Sequence, residues 1–281
     1  MTIKFTKMHG AGNDFVVVNA LTEELPQDLP FFAKRICSRH YGIGADQLLL
    51  VGSSAVADYR MVIYNADGGA VEMCGNGIRC CAKFINDHDL SDKTTLSIET
   101  LGGIIKPTII INHPKTTGET SWVEVNMGEP SVDVVNHSWE PLDLDKVLPD
   151  ALKSFKITTV SMGNPHCVVY VNDVDSYPVG LVGPVIQNDP YFPKGVNVEF
   201  VQVVERELVV QRTWERGSGE TLACGTGASA VAVASVLNGF TNRCITVSLK
   251  GGDLDLRWEE KTNCVFKTGP AVTVFDGSIA I

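Results

Sequence analysis

Two segments of this 281-residue chain repeat each other about half a chain apart, Glu72-Met-Cys-Gly-Asn-Gly77 and Glu220-Thr-Leu-Ala-Cys-Gly-Thr-Gly227. Cys74 and Cys224 stand 150 residues apart, and the interval recurs. Gly12-Asn-Asp-Phe-Val-Val-Val18 is echoed by Gly163-Asn-Pro-His-Cys-Val-Val169, which sets Asn13 and Asn164 151 apart. Gly44-Ala-Asp-Gln-Leu-Leu-Leu50 matches Gly195-Val-Asn-Val-Glu-Phe-Val201, again 151 apart, and Gly102-Gly103 matches Gly251-Gly252 at 149. Gly128-Glu-Pro130 answers Gly269-Pro-Ala271 more loosely, at 141. Landmarks in one order at nearly one interval mark a tandem duplication. The chain is therefore expected to fold as two pseudo-equivalent domains, the period being far too long for a solenoid or propeller array.

The composition allows each half a core of its own and restricts the partners. The chain is 44% hydrophobic and 20% charged, which excludes disorder as its resting state. A formal charge of −10 would repel nucleic acid or an anionic membrane, and no cluster of Lys or Arg offsets it. Neither a cationic leader followed by an apolar run nor an apolar stretch of about 20 residues is present, so a cytoplasmic protein is expected. In that reducing setting the eight cysteines are expected as thiols. Metal is not expected, because there is no paired C-x-x-C and the histidines lack ligand spacing.

Strands are predicted at residues 16–18, 47–51, 59–64, 95–99, 104–111, 168–171, 198–204, 208–214, 245–249 and 265–266, from β-branched or alternating runs bounded by turn residues. Helices are predicted at 31–40, 77–87 and 227–237. The last is apolar on every side, so it should be enclosed by protein inside a wrapping sheet, and the helix after Cys74 should lie likewise in its own half. Residues 112–120 and 136–150 read as polar, Pro-containing loops.

A cysteine followed by Gly-x-Gly at a helix start is a placed acid or base. Unsatisfied N–H groups and the positive end of the helix dipole favour a thiolate, and the same N–H groups would hold a carboxylate. The dipole contributes about 0.3–2 kcal/mol, too little to ionise a thiol of pKa about 8.5 by itself, so other groups must help. Two sulfurs acting on one centre would share a proton, one thiolate facing one thiol. Gly75-x-Gly77 and Gly225-x-Gly227 lack the third glycine of a dinucleotide fingerprint and the Gly-Lys-Ser/Thr of a P-loop. Cys74 and Arg79 have a C-x4-R spacing unlike that of a thiol phosphatase, and no arginine answers in the segment at Cys224. A hydrolase built on one thiol and His166 would leave the second cysteine idle.

Lys7-Met-His-Gly-Ala-Gly-Asn-Asp-Phe15, Gly42-Ile-Gly-Ala-Asp-Gln47, Tyr64-Asn-Ala-Asp-Gly68, Met73-Cys-Gly-Asn-Gly-Ile-Arg79, Gly163-Asn-Pro-His166, Gly195-Val-Asn-Val-Glu199, Trp214-Glu-Arg-Gly217 and Ala223-Cys-Gly-Thr-Gly227 resemble the signatures of the diaminopimelate epimerases, in order over residues 6–277. Proline racemases share the paired cysteines but typically carry His where this chain has Asn76, and phenazine-biosynthesis isomerases of similar fold lack the pair.

The resemblance implies an α+β fold of two pseudosymmetric domains, each a mixed sheet rolled around a central buried helix, with the site in the cleft between them. It implies a first domain of residues 1–120 with 270–281 and a second of 121–269. It further implies a cofactor-independent isomerase that converts LL-2,6-diaminopimelate to the meso form on the way to lysine and peptidoglycan, and a homodimer. By position, Cys74 and Cys224 are the acid/base thiols. The N–H groups of Gly75, Asn76, Gly225 and Thr226 hold the reacting carboxylate, with Asn13 and Gln47 lining the same pocket. Asn65, Asn164, Asn197, Glu215 and Arg216 read the distal amino-acid end, and His166 and Glu215 tune the thiols. The competing readings are another two-cysteine racemase, of the proline type, and a non-catalytic protein that binds a small zwitterion.

Overall fold

The computed structural model describes residues 2–133 and 157–281, which form two compact units, Met1–Asn126 with Thr268–Ile281 and Met127–Lys267. The loop expected at 136–150 lies outside the described residues.

In the first unit the chain runs β1 (Thr2–Gly10), β2 (Asn13–Asn19), α1 (Leu29–Cys37), β3 (Gln47–Gly52), β4 (Tyr59–Asn65), β5 (Ala70–Val71), α2 (Gly77–Asp87), β6 (Ile98–Thr100), β7 (Gly103–Ile105), β8 (Thr108–Ile110) and β9 (Thr120–Asn126). The sheet is mixed. β1–β2, β3–β4 and β6–β7 are antiparallel hairpin partners, whereas β2–β3 and β4–β6 are parallel pairs whose crossovers carry α1 and α2. Phe15-Val-Val-Val18 and Leu48-Leu-Leu-Val51 are buried on both faces, as parallel central strands require. Val16, Val18, Leu48 and Leu50 pack with Phe32 and Ile36 of α1, and Phe15 and Leu49 reach Gly77 of α2 on the opposite face.

The second unit repeats this order: β10 (Ser131–Asp133), β11 (Ile157–Ser161), β12 (Pro165–Tyr170), α3 (Val179–Gln187), β13 (Asn197–Glu205), β14 (Leu208–Glu215), β15 (Gly219–Thr221), α4 (Gly225–Leu237), β16 (Cys244–Leu249), β17 (Gly252–Trp258) and β18 (Val265–Ala280). Here β12–β13 and β14–β16 are the parallel pairs, with the other hairpins antiparallel. From Thr268 onward β18 belongs to the first unit, where Ala280 to Val272 pair antiparallel with Thr2 to His9 of β1. Each unit is thus an α+β body with few helices. α4 is buried from Gly227 through Ser235 and packs against β11, β12, β13, β16 and β17, and α2 is enclosed similarly by β1, β2, β3, β8 and β9.

The structure departs from the predicted elements in several places: β5, β9, β10, β11, β15 and β17 were not expected, and the strand predicted at 265–266 runs from Val265 to Ala280. α3 was not expected, and it contains Gly180, Gly183 and Pro184, residues of low helix propensity. Its apolar face nevertheless docks on the sheet, and Gly183 lets it lie against Trp214, whose Cγ would stand 2.5 Å from any Cβ there. β1 was missed because Lys and His interleave its buried residues. The run at 104–111 is two strands, split where Pro107 offers no N–H. The first compact unit includes β9, which pairs with β8, whereas the resemblance set the division at 120/121.

Candidate active site

In the first unit, the candidate side chains come from the start of β2 and β3, the end of β4 and the loop into α2. Asn13 opens β2, Gln47 opens β3 and Asn65 closes β4, so the parallel register of β2 and β3 brings them to one sheet end. The Gln47 amide donates to Asn65 Oδ1 at 2.8 Å. Asn13 donates to Asp46 at 2.9 Å and is held in a charged cluster in which Arg39 bridges Asp14 and Asp46, with Lys7 on Asp14. The half-buried sulfur of Cys74 lies 3.5 Å from Asn13 Oδ1 and accepts from Gly77 N at 3.4 Å. Asn76 is the N-cap of α2 but makes no side-chain cap, its Nδ2 turning 3.4 Å to Asn13. The N–H groups of Gly75 and Asn76 donate to no acceptor among the described residues, and neither Gln47 Oε1 nor Asn76 Oδ1, both buried, accepts from one. This is a built set of free donors and acceptors at a helix start.

The second unit places Asn164, His166, Asn197, Glu215, Arg216 and the Cys224 loop in the corresponding positions. Cys224 is the N-cap of α4, which begins at Gly225 rather than at 227, and its side chain accepts from Gly227 N at 3.3 Å. The N–H groups of Gly225 and Thr226 have no acceptor among the described residues. Thr226 Oγ1 lies 3.4 Å from the Cys224 sulfur and accepts from Asn164 at 3.3 Å. Asn164 Oδ1 meets His166 Nε2 at 3.1 Å, and His166 Nδ1 meets Glu199 at 2.8 Å. Glu199 is wholly buried, and its other oxygen accepts from Gln211 and Thr213, each at 2.6 Å. Asn197 accepts from Arg216 N at 2.9 Å, and the Arg216 guanidinium is anchored on Lys194 O at 2.7 Å.

Burial pushes the Cys224 thiol well above its ordinary pKa, and the charges of Glu215 and Glu199 push in the same direction. Burial likewise raises Glu215, with Glu199 adding to it against hydrogen bonds from Thr221 and Cys224. The second thiol is therefore set in surroundings that favour its protonated form. His166, Glu199 and Cys224 also bring three ligand-type atoms within 4.8 Å of one another, a cluster that sequence spacing could not reveal. The carboxylate of Glu199 is already engaged by His166, Gln211 and Thr213, so a cation there would have to displace them.

Three buried charged groups at this site were not assigned a role from the sequence, and of these only Arg79 was weighed, for its spacing from Cys74. Glu199 looked like one position of a strand motif. Arg79 sits wholly buried in the first turn of α2 and donates to Gly75 O at 2.9 Å and Pro270 O at 3.2 Å. Lys267, also wholly buried, places its ammonium against Gly225, where a Cβ would stand 2.3 Å from Nζ. The signal available for each was a charged residue inside an otherwise apolar run.

Paired α+β halves, each enclosing a helix, form an architecture shared with other solved structures. Solved structures that resemble it include the PhzF-family phenazine biosynthesis protein of Bacillus anthracis, with TM-score 0.73 and 19% identity over 100% of both chains. Another is a probable proline racemase from Agrobacterium radiobacter K84 with bound carbonate, with TM-score 0.69 and 15% identity over 99% of this chain and 93% of that one. The diaminopimelate epimerase family profile matches residues 5–132 and 158–274. The diaminopimelate epimerase of Moorella thermoacetica is 49% identical over 99% of both chains, and that of Heliobacterium modesticaldum 48% identical over 99% of this chain and 100% of its own. The chain belongs to the diaminopimelate epimerase family and is an isomerase. Among the described residues no helix is long and apolar enough to cross a membrane.

Proposed function

We propose that the enzyme converts LL-2,6-diaminopimelate to the meso isomer by two-base chemistry, Cys74 and Cys224 exchanging one proton across the α-carbon without a cofactor. The observation that carries this reading is that each half offers a thiol beside two helix-start N–H groups that have no acceptor among the described residues. An amino-acid α-proton is very weakly acidic, so a thiolate can remove it only if the negative charge gathering on the adjacent carboxylate is stabilised as it forms. The N–H groups of Gly75, Asn76, Gly225 and Thr226 are aimed for that task and need little reorganisation. The opposite thiol then delivers a proton to the other face, and the product leaves the proton pair reversed.

Asn13 and Gln47 would complete the reacting end. Asn65, Asn164, Asn197, Glu215 and Arg216 would take the distal ammonium and carboxylate, a guanidinium suiting the carboxylate and amide or carboxylate oxygens the ammonium. His166 and Glu215 would tune the thiols. The family relationship also supports a cytoplasmic homodimer that supplies lysine and peptidoglycan synthesis. Incubation of dialysed, chelator-treated protein with each diaminopimelate stereoisomer, followed by chiral analysis, tests the reading. Interconversion of LL and meso is expected. Activity that appears only with added metal or pyridoxal phosphate, or comparable turnover of proline, would overturn it.

A further inference from the structure

Arg79 has no part in the reaction as proposed, yet among the described residues it heads the fully buried side chains in size. Its guanidinium reaches the carbonyl of Gly75, the residue after Cys74, at 2.9 Å. Gly10 admits it there, since a Cβ at that position would stand 3.1 Å from Nη2. Nη1 and Nε meet the carbonyls of Gly75 and Pro270, while Nη2 meets no acceptor and no carboxylate pairs with the group among the described residues. The Gly75 carbonyl does not require a cation. At the equivalent place in the second half, Ser229 donates to Gly225 O at the same 2.9 Å.

A buried guanidinium without an anion costs several kcal/mol, so a counter-charge is needed. Burial disfavours the charge of Arg79, and only Cys80 and Cys74 oppose this. Complete burial pushes Cys80 up to about 12, so Cys80 stays a neutral thiol, and Cys74 is left to supply the negative charge. Other charged groups around α2 are engaged elsewhere. Lys83 pairs with Asp87, Asp14 of β2 with Lys7 of β1 and Arg39, and Asp276 of β18 accepts from Thr6. His9 of β1 is held toward its neutral form by burial, β9 brings Glu124, and β3 and β8 bring no charge. The Gly77 N–H already donates to the Cys74 sulfur and would continue to do so on ionisation.

We infer that Arg79 is a positioning residue that holds Cys74 as the resting thiolate, so that the shared proton of the thiol pair resides on Cys224. This rests on the two-thiol reading above but is tested without turnover. The substrate-free protein is alkylated with iodoacetamide across pH, and modification at Cys74 and Cys224 is followed by peptide mass spectrometry in the parent, Arg79→Met and Arg79→Lys. In the parent, Cys74 is expected to react at least about 10-fold faster than Cys224 at neutral pH. Arg79→Met should move the Cys74 midpoint up by about one pH unit, leave Cys224 unmoved, and be largely rescued by Arg79→Lys. A folded Arg79→Met protein with the parental Cys74 profile, or one in which both cysteines shift together, would overturn the inference. Should Arg79→Met not fold, the parent decides. A Cys74 midpoint at or above about 8.5, or Cys224 reacting first, sinks it. Turnover that survived Cys74→Ala would instead sink the epimerase scheme while leaving the alkylation profile intact.

Discussion

The floor beneath each thiol is built from equivalent positions filled with opposite chemistry. Gly77 packs on Phe15 and Leu49, whereas Gly227, 150 residues later, packs on Glu199, which is paired with His166. Leu49 and Glu199 are third in β3 and β13, and Phe15 and His166 stand one residue before Val16 and Cys167 in β2 and β12. An apolar pair in one half has thus become a buried acid–base pair in the other. The cations are exchanged in turn: Arg79 lies under the first loop, while Ser229 takes its place in the second and Lys267 enters from β18 instead. A symmetric two-thiol reaction would not need this. The difference teaches that duplication conserved the backbone device, helix-start N–H groups without an acceptor among the described residues, while the side chains packed beneath the two sulfurs diverged.

The largest effects should come from removing either sulfur. Cys74→Ala and Cys224→Ala are each expected to lower epimerisation by about 10³-fold or more. In heavy water each variant should retain only exchange of the stereoisomer facing its surviving thiol, so the two variants should label opposite isomers. Identical labelling, or either variant within tenfold of the parent, would break the comparison at its root. Cys→Ser should be nearly as harmful, because a hydroxyl is a far weaker acid than a thiol.

Next comes the acid–base floor that only the second half possesses. Glu199→Gln keeps the volume but removes the charge that His166, Gln211 and Thr213 surround. A fall of about 10–100-fold in kcat is expected, with KM little changed and the limb of the pH–rate profile that reports Cys224 displaced. A purely structural Glu199 would lower the amount of folded enzyme and leave the shape of that profile where it was.

How much of this was legible in the sequence follows from what each residue has to do. Cys74, Cys224 and the glycines after them could be read directly, because a helix start with close backbone approach admits few residue types. The enclosed helix α4 announced itself by lacking a polar face. Glu199, Arg79 and Lys267 could not be read this way, since burial of a charge depends on what tertiary packing sets beside it; Glu199 and Lys267 appeared as charged residues among many, and Arg79 drew notice only for its spacing from Cys74. The same holds for α3, where Gly183 signals a break locally but provides a seat against Trp214 in the fold. The meeting of His166, Glu199 and Cys224 is a consequence of parallel pairing between β12 and β13, which no local spacing encodes.

The two floors also predict different tolerance to one methyl group. In Gly77→Ala the new Cβ would meet Cys74, Phe15 and Leu49 side-chain carbons at 3.3–3.4 Å, contacts that small shifts can relieve. The gain in helix propensity offsets much of that, so stability should stay within about 1 kcal/mol of the parent. In Gly227→Ala the Cβ would fall 2.4 Å from Glu199 Oε1, inside a fully engaged buried carboxylate. A loss of about 1–3 kcal/mol is expected from chemical denaturation. Equal losses in the two variants would show that the floors are equally compliant.

The smallest expected effect isolates Glu215, whose counterpart 150 residues earlier is the neutral Asn65. Burial first, and the Glu199 charge second, raise the Glu215 carboxyl above its ordinary value. The folded protein then retains a proton that the unfolded chain has released. Its contribution to stability is therefore complete below the ordinary carboxylate range and declines as pH rises from there through the raised value. Glu215→Gln has no such proton to lose. Measured by thermal unfolding between about pH 4 and 7, the difference in stability between the Gln variant and the parent should grow in favour of Gln, by about 1.4 kcal/mol for each unit by which the folded carboxyl is raised. Asn65→Asp tests the same position in the first half, where the loop cation Arg79 is present and Glu199 has no equivalent, and its stability difference from the parent should vary less over that range. A difference for Glu215→Gln that is flat with pH would mean that the second half does not press on its carboxylate, and the contrast between the floors would then rest on His166 and Glu199 alone.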